Sequence, residues 1–193
     1  MTNSFPEIHL VRHGETEWTV SGRHTGRTDI DLTAKGEEAA RGLADRLRGT
    51  EPPIVWSSPS LRALRTCELA GFSSGVVVKP DLHEWDYGDY EGVTTKEILQ
   101  SRPGWQLFHD GAPGGESAVD VGARADRVIA ELRLLGSSAL IFSSSHFLRV
   151  LAARWLDLPP EHGESFILGT ASISILGYEH NLEEPVIRAW NLG

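Results

Sequence analysis

Leu10-Val11-Arg12-His13-Gly14-Glu15-Thr16 is an apolar run that stops at an arginine, a histidine and a glycine. Such a run reads as a buried strand whose last residues carry chemistry. The glycine lets the backbone come close to a bound anion, and arginine offers a planar fork that matches phosphate oxygens. Its fixed positive charge also disfavours a protonated neighbour, which keeps an imidazole neutral and nucleophilic. By itself the segment reads first as a solvated Arg-His pair at a strand end.

Outward from this run, further apolar stretches read as strands at Ile8–Val11, Ile54–Trp56, Val76–Val78, Ala139–Phe142, Ile173–Leu176 and Val186–Ala189. Helical patterns lie between them. Ala34–Arg48 carries Ala40, Leu43, Ala44 and Leu47 at helical spacing, with Thr33 as N-cap. Ala118–Leu135 carries Val121, Ala125, Val128, Ile129 and Leu132 on one stripe, and Phe147–Leu158 is a further helix stopped by Pro159-Pro160. Strands alternating with helices of this length predict a three-layer α/β/α sandwich on a mostly parallel sheet. In such sheets the ligand crevice lies beyond the carboxyl ends of the strands. Arg12-His13, Ser57-Ser58 and Ser143–His146 would then meet at one end.

Two more segments bear on that crevice. Ser57-Ser58-Pro59-Ser60-Leu61-Arg62 runs from a strand into a helix whose first amides would face it. Arg62 falls in the first turn, where a cation opposes the helix dipole. Either it holds a phosphate there or it is an ordinary surface arginine. In Leu82-His83-Glu84-Trp85-Asp86-Tyr87-Gly88, carboxylates interleave with aromatics, the pattern of a desolvated general acid. Glu84 is the candidate, and a polar loop with packed tyrosines is the alternative.

Composition sets bounds on all of this. A chain of 193 residues with 40% hydrophobic content fits one domain spanning 1–193. A formal charge of -9 speaks against a nucleic-acid or anionic-membrane surface, so a phosphate pocket must concentrate its arginines locally. One cysteine, Cys67, rules out an intramolecular disulfide and suits a reducing compartment. Met1–Glu7 lacks the basic start and apolar run of a signal peptide. No apolar stretch approaches the roughly 20 residues of a membrane span. A cytoplasmic protein is expected, and the apolar helix positions leave a homodimer open. His9 and His13 have a helical zinc spacing but lie on a strand, about 13 Å apart, so no metal site is expected.

Leu10–Thr16 followed by Gly22-Arg23-His24-Thr25-Gly26-Arg27-Thr28-Asp29 resembles the phosphoglycerate-mutase-like branch of the histidine phosphatase superfamily. The likeness extends through Ser58–Thr66, Glu84–Gly92 and Gly114–Ser117 to the late strands. Glu84–Gly92 and the tail Gly177–Trp190 are most similar to sedoheptulose-bisphosphatase-type members and actinobacterial acid phosphatases. The resemblance implies phosphoryl transfer without metal or cofactor on a phosphorylated small molecule such as a sugar phosphate. His13 would form a phosphohistidine, Arg12 and Arg62 would clamp the phosphoryl oxygens, and Glu84 would protonate the leaving alcohol and then activate water. Thr25, Gly26 and Tyr87 fall at positions that line the pocket. The chain contains no Arg-Arg pair, which favours phosphatase over mutase.

One departure stands out. The family carries a second active-site histidine after a late strand, in a Ser/Ala-His-Gly-His/Asn motif. Here the stretch is Ser143-Ser144-Ser145-His146, which puts Ser144 at the histidine position. Losing one preorganised donor costs about 10²–10³ in rate, and a neutral serine bond is about half as strong as a charge-assisted one. Three explanations compete: His146 bends into the gap, the chain is a deliberately weakened variant, or the fold serves another reaction or binding alone. The alternative to a hydrolase is therefore a repurposed, non-hydrolytic phosphate-binding member.

Overall fold

The computed structural model describes residues 5–50 and 52–193. The reading of the N-terminus rests partly on residues 1–4, which lie outside them. Six strands form one sheet: β1 (Ile8–Arg12), β2 (Ile54–Ser57), β3 (Val76–Val78), β4 (Ala139–Ser143), β5 (Ile173–Tyr178) and β6 (Pro185–Leu192). Their order is β3-β2-β4-β1-β5-β6. Strands β1 to β4 pair in parallel, and β5 and β6 add antiparallel neighbours at one edge. The strands agree with the apolar runs, most of them extended by one or two residues, because hydrogen bonding outlasts apolarity at Arg12, Ser57 and Ser143.

Alternation along the strands creates the layers. Ala139 and Ile141 of β4, with Ile8 and Leu10 of β1, face a core shared with α6 (Ala118–Leu135) and α7 (Ser145–Trp155). Leu140 and Phe142, with Val11, face the opposite core with Leu43 of α2 (Ala34–Arg46) and Cys67 of α3 (Leu61–Leu69). All five stripe residues expected on α6 are buried. Thr33 caps α2 by accepting the Gly36 N–H, as its position predicts.

Helix α7 runs Ser145–Trp155 rather than Phe147–Leu158. It starts early because Ser144 adopts an extended N-cap conformation, so the first helical turn is polar and hides from an apolar pattern. It stops early because Asp157 turns left-handed at φ 57°, two residues before the prolines. Short helices α1 (Glu17–Ser21), α4 (Thr95–Ser101) and α5 (Leu107–Asp110) complete the set used below. Two of them open with capping boxes, at Thr16/Thr19 and Thr94/Glu97, and Thr94-x-x-Glu97 is a signal readable from sequence.

The sheet order places the site. β1 and β4 are neighbours although α2, α3 and α6 intervene in the chain, so the connections diverge at their carboxyl ends. Such a switch point opens a crevice. The loops there remain knitted together: the His13 N–H donates to Ser143 O, Ser58 N–H to Phe142 O and Lys79 N–H to Ser57 O.

Candidate active site

At that end lies a cavity of about 310 Å³. Arg12 and His13 line it from β1, Glu84 and Tyr87 from the loop after β3, and Ser145, His146 and Arg149 from α7. Trp18, Thr19, Arg23, His24 and Thr25 form one wall, and Thr95, Ile167 and Leu168 complete the rim.

His13 is buried, and its Nδ1 lies 2.8 Å from the Gly14 carbonyl. A carbonyl only accepts, so Nδ1 carries the proton and Nε2 holds a lone pair. Burial lowers the His13 pKa well below the usual value, and Arg62 and Arg12 push it further down. The imidazole is thus neutral at neutral pH. The adjacent Gly14 donates its N–H to Thr66 Oγ1 at 3.0 Å. A Cβ on Gly14 would sit 2.6 Å from the Gly36 carbonyl. Only glycine lets the loop lie this close to α2.

The two arginines are held differently. Arg12 donates Nη1–H to the Leu168 carbonyl. Arg62, fully buried, donates Nη1–H to Thr28 O at 3.0 Å and Nη2–H to Thr25 O and Gly26 O at 2.9 and 3.1 Å. Its place in the first turn of α3 is therefore explained by three carbonyls of the Thr25–Thr28 loop. The Leu61 N–H, expected to face the crevice, donates instead to Asp29 Oδ1. Yet both guanidinium groups keep a buried Nε–H without a partner, and so does the Ser144 hydroxyl. Buried polar groups are nearly always satisfied. Among these three residues, only Arg12 lines the cavity.

Glu84 is buried, and its carboxylate accepts three backbone N–H groups. Trp85 and Phe147 donate to Oε1 at 2.9 and 2.8 Å, and His146 donates to Oε2 at 3.0 Å. Oε1 is filled, and Oε2 keeps one lone pair open. Two of these backbone N–H groups belong to the aromatic residues Trp85 and Phe147.

Helix α7 changes the geometry expected for the Ser144 region. His146 lies in its first turn rather than two residues farther along an extended strand. Its Nδ1 is 2.6 Å from the Tyr87 hydroxyl. Burial pushes the Tyr87 pKa up and, with Arg149 and His24, pushes that of His146 well down. A protonated phenol facing a neutral imidazole donates to Nδ1, which assigns the ring proton to Nε2.

Of the sequence candidates, Arg12, His13, Thr25, Glu84, Tyr87 and His146 come together on the cavity wall. Arg62, Gly26 and Ser144 lie outside the lining set. Gly26 is behind it, its N–H on Glu91 and its carbonyl on Arg62. Glu116 and Ser117 lie outside the cavity, where Glu116 pairs with Arg124 and Ser117 caps α6. Sequence reasoning missed Trp18, Arg23 and Arg149. Arg149 was legible only as one turn after His146 on the same helix, a spacing that shares a face.

A model of the histidine phosphatase superfamily (branch 1) matches residues 8–193. The chain belongs to that superfamily. It is of the phosphatase type. An acid phosphatase of Mycobacterium tuberculosis is 44% identical over 183 residues, covering 92% of this chain and 89% of the relative. A sedoheptulose 1,7-bisphosphatase of Saccharomyces cerevisiae is 31% identical over 252 residues, covering 97% and 93%. A solved structure of a Mycobacterium tuberculosis open reading frame product superimposes with a TM-score of 0.91 at 40% identity, covering 97% of both chains. This histidine phosphatase thus has the three-layer fold expected of it, and no helix among its described residues is long and apolar enough to cross a membrane.

Proposed function

We propose that this histidine phosphatase, working as one domain, hydrolyses phosphomonoesters of a small metabolite such as a sugar phosphate. His13 Nε2 attacks phosphorus, and the ester oxygen leaves with a proton from Glu84 Oε2. The phosphohistidine is then hydrolysed by a water that returns its proton to Glu84. Arg12 and Arg62 stabilise the phosphoryl oxygens, with Thr25, Tyr87 and His146 shaping the pocket and Ser144 offering a neutral hydroxyl. No step requires a metal or cofactor. The observation that carries this reading is the fixed tautomer of His13: a lone pair in a cavity that the Arg12 guanidinium lines, with the charge of buried Arg62 close by. A cavity of about 310 Å³ falls at the small end of ligand sites, which suits a metabolite rather than a polymer.

The second reading, phosphate binding without useful turnover, is favoured by one observation. Ser144 presents a neutral oxygen where the family resemblance implies a histidine. One experiment separates the two. Incubation with a labelled sugar-phosphate panel, acid-sensitive phosphoenzyme trapping and phosphate release are measured on the wild type and on His13→Ala. Labelled wild type with released phosphate, and neither in the variant, supports the hydrolase. Binding of inorganic phosphate with no release from any ester at high enzyme overturns it in favour of the second reading.

A further inference from the structure

Arg124 lies on α6, outside the cavity, and every donor of its guanidinium is in use. Nε and Nη2 donate to Glu116 Oε1 and Oε2 at 2.7 and 2.8 Å. Nη1 donates to the carbonyls of Asp81 and His83 at 2.7 and 2.9 Å, and Nη2 also reaches the Glu84 carbonyl at 3.3 Å. An arginine has five N–H donors in a fixed fork, and here all five have acceptors. Glu116 extends the hold. Its Oε2 accepts the Asp86 N–H at 2.9 Å, and its carbonyl accepts the Trp85 indole N–H at 2.8 Å.

The same guanidinium lies 5.0 Å from the centre of the Phe147 ring. Phe147 supplies one of the backbone N–H groups that fix the Glu84 carboxylate. Arg124 therefore touches both the chain that carries Glu84 and the residue that receives its carboxylate. The Arg124–Glu116 pair is largely withdrawn from water, its side chains 10% and 17% exposed, and desolvation of such a pair offsets much of its attraction, so stability alone accounts poorly for it.

We propose that Arg124, locked by Glu116, is a positioning residue that sets where Glu84 delivers its proton. This rests on Glu84 being the proton donor to the leaving alcohol. Arg124 touches neither substrate nor the reacting atoms; it acts through the main chain of Asp81–Glu84. A lysine keeps the charge but has three donors on a flexible stem, so it cannot hold three carbonyls and a carboxylate together.

The test compares kcat/KM for p-nitrophenyl phosphate and for glycerol phosphate. The first leaving group departs without a proton, whereas the second needs one. Arg124→Lys is expected to lose about 10²-fold on glycerol phosphate, the scale of a 1 Å displacement. On p-nitrophenyl phosphate it should lose under about 3-fold, since no proton transfer is at stake. Equal losses on both esters, or no loss, overturn the assignment. Glu84→Gln must show the same selective pattern, larger in size. If it lowers both esters alike, the donor reading of Glu84 has failed, and Arg124 positions nothing for that step. Should Arg124→Lys not fold, Glu116→Gln keeps the shape and one acceptor. It is expected to give the same selectivity at about 10-fold, and its absence overturns the proposal.

Discussion

The carboxyl ends of β1 and β4 lie side by side, Arg12 opposite Ser143, and they equip the cavity in opposite ways. The β1 end supplies a guanidinium with a free Nε–H and an imidazole lone pair. The β4 end supplies Ser145 and a neutral His146, both from the first turn of a helix. A phosphoryl group between them would meet fixed charge and a nucleophile on one side, and neutral donors on the other. Arginines act on a phosphate already in the ground state. A donor aimed at charge that develops later acts only in the transition state, and only such a donor raises kcat. The contrast separates holding phosphate from transferring it.

The sharpest way to break this asymmetry is to give the β4 end an imidazole. Ser144→His is expected to raise kcat by about 10²–10³-fold with little change in phosphate affinity, read from steady-state kinetics and phosphate titration. An already fast wild type slowed by the change would show that the β4 end has its own solution. A smaller effect is expected from His146→Ala. It removes the Nε2–H at the cavity and leaves the Tyr87 hydroxyl without its acceptor, lowering kcat/KM about 10-fold. If His146 stands in for the missing group, the loss should shrink in the Ser144→His background, and a double-mutant cycle measures that coupling.

The smallest effect concerns pH. His13 and His146 are held neutral with pKa values well below 6.5, whereas the unfolded chain protonates them near 6.5. Below that pH the unfolded state binds more protons, so stability is fully present above pH 6.5 and falls as pH drops. The slope is at most about 1.4 kcal/mol per pH unit for each histidine. Urea unfolding from pH 7.5 to 5 should show this decline, and His13→Asn should remove one proton's share. An unchanged slope in the variant would mean that His13 is not held neutral by its surroundings.

Legibility in the sequence followed the physics of each feature. Strands were readable because Leu10-Val11 and Leu140–Phe142 are buried on both faces and must be continuously apolar. Arg12-His13-Gly14 was readable only together with the motifs that follow it, since alone it also fits a solvated Arg-His pair at a strand end. What escaped depended on turns and on distant partners. No local pattern shows that Arg62 would serve three carbonyls from Thr25 to Thr28. Three serines concealed the start of α7, so the direction of His146 could not follow from an extended chain. Of the irregular segments, 159–170 lines the cavity through Ile167 and Leu168, whereas 101–117 stands behind it, with Trp105 against His24 and Phe108 against His146.

The pairing of β1 with β4 also has a meaning for the life of the chain in the cell. His13 is made among the first residues, but its N–H waits for Ser143, and the Glu84 carboxylate waits for the amides of His146 and Phe147. During synthesis, most of the polypeptide leaves the ribosome before these partners exist. A truncated or partly folded copy therefore holds His13 without the partners that complete its cavity.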